Sequence, residues 1–150
     1  MAFEYYTELL KSLNKDSLPL WGKMTSQHMI EHLILAVQLS NGKHIINECI
    51  NPPEKYPLLK RILHSSKPLP KNFVNTIIGE GLKPLIHQNL ELAKEDLLIE
   101  IENFELFFKK NPEAKPMNIT FGPLNYEEWI IFHNKHFTHH LTQFGLIKEK

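Results

Sequence analysis

Nine of the 150 residues are histidine, and four of them, His133, His136, His139 and His140, fall within eight positions. On a helix, His136 and His140 project from neighbouring turns of one face, which lets two imidazoles converge on a single cation with bonds of about 2.0–2.1 Å. That face is otherwise apolar, carrying Trp129, Phe137, Leu141 and Phe144 with His133, so both rings are expected inside, where each needs a polar partner. A third imidazole, His32, belongs to the most thoroughly apolar stretch of the chain, with Met29, Ile30, Leu33, Ile34, Ala36 and Val37 around it. Three imidazoles leave coordination positions open for water or substrate, the layout of a catalytic rather than a structural site. All-imidazole ligation suits Zn, Ni, Fe or Cu. The bland alternative is a set of hydrogen-bonded core histidines.

Four helices must position these groups. Residues 3–13 carry an apolar stripe at Phe3, Tyr6, Leu10 and Leu13. A second helix opens with Thr25 or Ser26 as N-cap and runs to about Ser40, stopped by Asn41-Gly42. The third, from about Leu92 to Lys110, shows Leu97, Ile101, Phe104 and Phe108 at helical spacing and ends at Asn111-Pro112. The fourth begins with Asn125 and Glu128, which resemble a reciprocal capping pair, and runs to about Phe144, closed by Gly145. Between 43 and 90 the chain is proline-rich and irregular, with short helical pieces such as 56–63, and no strand alternation or repeat stands out. The expected fold is therefore all-α, a single helical-bundle domain over residues 1–150 with an irregular middle connection.

Composition narrows the function classes. Lys+Arg and Asp+Glu are both 17, for a formal net charge of +0, and Arg61 is the only arginine, so nucleic acid is not an expected partner. Lys55, Lys60, Arg61, Lys67 and Lys71 form a basic stretch that reads as a solvated face. The single cysteine, Cys49, allows no internal disulfide and reads as a packed thiol rather than a nucleophile. Apolar runs such as 33–37 fall far short of the roughly 20 residues of a membrane span, and the opening residues, with Glu4 and no basic segment, do not resemble a signal peptide. A cytoplasmic protein with a small-molecule substrate, no membrane and a possible homodimer is the expectation.

Two segments, PLWGKMTSQHMIEHL (19–33) and FGPLNYEEWIIFHNKHFTHHLTQFGL (121–146), resemble the two signature regions of the DinB-like (YfiT-type) superfamily of metal-dependent enzymes, and more narrowly a small bacterial subgroup of it. His32-Leu33 matches the end of the first signature; His136, His140 and Gln143 match the HxxxHxxxQ-like second, although Leu141 and Thr142 stand where Arg-Gly is common. The resemblance implies a four-helix bundle with one divalent ion held by His32, His136 and His140. It also implies an ion that activates water or a low-molecular-weight thiol, in a hydrolase or a thiol-dependent S-transferase. A non-catalytic metal- or ligand-binding module is the alternative. His28, His133 and His139 are additional to the pattern. His28 lies one turn before His32 and His133 one turn before His136, so each is a candidate to line the pocket or carry protons, or simply a polar residue at its mouth. His44, His64 and His87 are expected in solvent.

Other motifs fit less well. His28-Met29-Ile30-Glu31-His32 matches the HxxEH of inverted zinc peptidases, but the chain lacks their size and an evident acidic third ligand. The same five residues occur in S-ribosylhomocysteine-cleaving lyases, whose strand-rich start is missing here. No Glu has a His three residues on, as a di-iron carboxylate bundle needs, and there is neither a GxSxG nor a P-loop.

Overall fold

The computed structural model describes residues 2–71 and 82–149; the part of the expected irregular middle at 72–81 lies outside them. The described chain is mostly helical, in the order α1 (Glu4–Leu9), α2 (Ser26–Gln38), α3 (Tyr56–His64), α4 (Leu90–Lys110), β1 (Met117–Asn118), β2 (Gly122–Pro123) and α5 (Tyr126–Gln143). Single 3-10 turns extend α1 over Leu10–Ser12 and precede α3 over Pro53–Lys55.

Each long helix starts where a side chain can satisfy its free N–H groups. Thr25 accepts from the backbone N–H of His28, and Asn89 from that of Leu92, which starts α4 two residues before the apolar periodicity alone suggests. Asn125 and Glu128 form the reciprocal pair: Asn125 Oδ1 accepts from Glu128 N at 2.9 Å, and Glu128 Oε1 from Asn125 N at 3.1 Å. The Glu128 carboxylate also meets Lys60 Nζ of α3 at 3.4 Å. Replacing Asn125 by Ala is expected to cost about 1 kcal/mol, read as a lower urea midpoint with an unchanged slope.

The core is one contiguous cluster in which Met29, Ile30 and Leu33 of α2, Leu97, Ile101 and Phe104 of α4 and Trp129, Phe137 and Leu141 of α5 are fully buried. α2 packs along α4, and α5 packs against α1, α2 and α3. Phe3, at the head of α1, adopts the left-handed conformation (φ 68°) rare for a side chain of its size. Its ring is buried against Phe104 and Phe137, which offsets that strain.

The connector from α4 to α5 is more ordered than its composition suggests. Asn118 Oδ1 accepts from the N–H groups of Thr120 and Phe121, folding the chain into a two-residue antiparallel ribbon with Met117 opposite Pro123. Trp129 Nε1 donates to Pro116 O at 3.1 Å and ties that ribbon to the start of α5.

Candidate metal centre

His32 from α2 and His136 and His140 from α5 meet inside the molecule. His136 Nε2 lies 3.0 Å from His32 Nε2 and 3.1 Å from His140 Nε2, and all three potential ligand atoms lie within 4.8 Å of one another. Ligands bound to one cation at about 2.0–2.1 Å sit roughly 3–3.4 Å apart in tetrahedral or octahedral arrangement, so the two short separations, which are also hydrogen-bond distances between the rings, can accommodate a shared ion. Phe132 stacks on His136 at 5.5 Å between ring centroids and closes one side.

Burial keeps these rings neutral, the form that binds metal. His32 is pushed down to about 4, chiefly by desolvation and secondarily by the charges of His139 and Lys83. His136 and His140 are lowered well below the ordinary histidine value, again first by burial and then by neighbouring imidazoles.

His140 has its tautomer set from behind. Its Nδ1 donates to Gln143 Oε1 at 2.8 Å, which leaves Nε2 as a lone pair facing His136. Gln143 is itself oriented, because its Nε2 donates to Trp21 O at 3.0 Å and its carbonyl accepts from Leu20 N at 2.7 Å. This close approach requires Gly22. It has φ +82°, and a Cβ there would stand 2.8 Å from Gln143 Nε2. Gly22→Ala and Gln143→Ala are both expected to weaken divalent-metal binding by roughly 10–100-fold, measured by competition with a chromophoric chelator, with helix content unchanged.

A cavity of about 880 Å³ opens onto the three imidazoles and is also lined by His28 and His139. His28 Nδ1 pairs with Thr25 Oγ1 at 2.6 Å, tying the ring to its own helix cap. His139 is lowered by burial and packs edge-on against Trp21 and His140.

His133 does not line this cavity, contrary to the expectation of a pocket residue. Its Nε2 donates to Ser40 Oγ at 2.7 Å, since the Ser40 hydroxyl is itself given to Val37 O at 2.8 Å. Its Nδ1 is buried without a partner among the described residues. The ring sits among Phe3, Phe104 and Trp129, where burial drives its pKa down to about 3. It is a core residue that cannot exchange protons with the cavity.

His44 and His64 are exposed, as expected, but His87 is not. Its side chain is only 17% exposed and is gripped at both nitrogens: Nδ1 lies 3.0 Å from Glu31 Oε2 and Nε2 2.9 Å from Asp96 Oδ2. Glu31 also accepts from the backbone N–H groups of Ile86 and His87 and from Gln27 Nε2. Burial disfavours charge on both partners, yet these hydrogen bonds outweigh it, raising His87 and lowering Glu31. The result is a carboxylate–imidazolium–carboxylate clasp on the cavity wall, joining α2, α4 and the segment before α4. Sequence reasoning missed it because the partners lie 56 and 9 residues from His87 and follow no local period. Cys49 lies outside the cavity, with Sγ 3.4 Å from Thr120 O.

No protein-family model matches the chain, and no curated protein or solved structure shows similarity to it. No helix among the described residues is long and apolar enough to cross a membrane.

Proposed function

We propose that this protein is a metal-dependent enzyme of DinB-like type, a four-helix bundle of α1, α2, α4 and α5 in which His32, His136 and His140 hold one divalent ion, Zn, Ni or Fe. The observation that carries the reading is the convergence of three neutral Nε2 atoms from two helices, two of the separations being 3.0 and 3.1 Å, at the wall of a cavity large enough for a substrate. When bound, such an ion supplies Lewis acidity that brings the pKa of a coordinated water or low-molecular-weight thiol toward neutrality. The reaction class is accordingly hydrolysis or thiol-dependent group transfer.

The chain's own groups have separable tasks. Gln143 holds His140 in the ligating tautomer, and burial holds all three rings unprotonated. His28 takes the proton-carrying role at the cavity, with Nδ1 engaged by Thr25 and Nε2 as the exchanging atom. Phe132 and the neighbouring apolar wall restrict water around the ligands.

A second reading, in which the site holds an ion or small ligand without turnover, draws on Glu31. This is the carboxylate adjacent to His32 in sequence, and its oxygens are already taken by Gln27, Ile86 and His87 rather than left as a general base.

Elemental analysis of untagged protein tests the centre. About one equivalent of divalent metal is expected in the wild type and almost none in a His32→Ala/His140→Ala variant; contents near zero in both end the reading. Turnover of activated esters and of electrophile–thiol pairs, with metal present and removed, then separates an enzyme from a binding module.

A further inference from the structure

We propose that the ligand of this cavity is a small amphipathic anion, a molecule with one carboxylate-like head and an apolar body about the length of a medium alkyl chain. The inference deepens, and rests on, the reading of the cavity as a substrate site. The first support is size and lining. At about 880 Å³ the space lies near the top of the range for small-molecule pockets, far beyond what an ion and its waters need. Its walls are built from Ile34 and Leu35 of α2, Leu39 at the C-cap of that helix, Ile119 of the ribbon and Phe132 of α5. Apolar surface of that kind is stabilised by an apolar occupant.

The second support is the distribution of charge. Two acids reach this cavity, Glu31 and Asp96, and both are spent on His87. The clasp sets two carboxylates against one imidazolium, leaving a single net negative charge on the His87 wall. Two lysines, Lys23 and Lys83, also line the cavity, and among the described residues neither pairs with a carboxylate. Lys83 shares this lining with His32. It is carried by the segment that the clasp fastens to α2 through the Ile86 and His87 N–H groups. Two ammonium groups against the clasp's one net negative charge among the described residues, beside an apolar wall and with a divalent ion at the three imidazoles, favour an anionic head on an apolar chain.

Calorimetric titration of the full, untagged chain tests this, using octanoate, butanoate, octylamine and octanol as probes, with zinc-loaded and chelator-treated protein and zinc content measured in each sample. Octanoate is expected to bind on the order of 200-fold more tightly than butanoate, from four additional buried methylenes. It should also bind at least roughly tenfold more tightly than octylamine or octanol, with an affinity that falls as salt rises. Lys83→Gln is expected to weaken octanoate roughly fivefold while leaving octanol and zinc content unchanged, and Lys83→Arg to restore it. Equal binding of octylamine and octanoate, equal binding of butanoate and octanoate, or an unaffected Lys83→Gln would each overturn the proposal. Failure of the metal reading shows separately, as absent zinc, because chain-length and head-group preference are read in the chelated protein as well.

Discussion

Between pH 7 and pH 5 the metal-free protein is expected to lose on the order of 7 kcal/mol of folding free energy, a large share of what a domain possesses. The sign follows from four buried imidazoles. His133 falls to about 3 and His32 to about 4, and His136 and His140 are lowered well below the ordinary value, all chiefly by desolvation. In the unfolded chain each titrates near 6.5, so below that pH the unfolded state binds more protons than the folded one. Stability is complete above about pH 7 and drains as pH falls through 6.5, at up to about 1.4 kcal/mol per pH unit for each group. His87 has the opposite sign. Its raised pKa makes the clasp fully stabilising below 6.5 and weaker as pH rises through the folded value, so it offsets a small part of the loss between pH 7 and 6.5 and adds nothing further below. Urea denaturation of chelator-treated protein at pH 7, 6 and 5 measures the slope. His133→Gln isolates one contributor: the amide can still donate to Ser40, and the change between pH 7 and pH 5 should shrink by about 2 kcal/mol. A flat stability profile in the wild type, or an unaltered one in the variant, contradicts neutral burial of these rings.

The contrast between His133 and His136 shows how far a linear sequence can be read. The helical period correctly groups His133, His136 and His140 on the buried side of α5, because that information is local. It says nothing of what stands opposite at each level. His133 is seven residues before His140, two turns and about 10 Å along the axis. At its level the facing groups are Ser40, at the end of α2, and Phe104 of α4; at the level of His136 and His140 the facing group is His32. Only the register of α2 against α5 separates a core histidine from a candidate ligand, and that register is long-range. The caps at Thr25, Asn89 and Asn125 depend on residues three apart and are legible in the sequence, although apolar periodicity alone starts α4 two residues later than the Asn89 cap does. The His87 clasp and the Gly22–Gln143 contact were not open to it. Each joins segments remote in the chain through geometry that composition does not encode.

Substituting the central histidine of the proposed site is expected to give stability changes of opposite sign with and without metal. His136 lies between His32 and His140, and its removal leaves two imidazoles where three are needed. With zinc at about a hundred times its dissociation constant, the wild type should gain roughly 2.7 kcal/mol by linkage, while His136→Leu, binding zinc more than a hundredfold more weakly, gains almost nothing. In chelator at pH 5.5 the order should reverse. Wild type then buries a ring whose neutrality is costly among His32, His140 and Phe132, whereas leucine is apolar and of similar volume and adds no group to be held unprotonated. One pH unit below 6.5 that difference amounts to about 1.4 kcal/mol in favour of the variant. Thermal melts of both proteins, with zinc and with chelator, therefore cross. A cluster serving only as core hydrogen bonding predicts no crossing, because His136→Leu would then lose the same two contacts under either condition. The crossing separates a site built to hold an ion from three histidines that merely share a core.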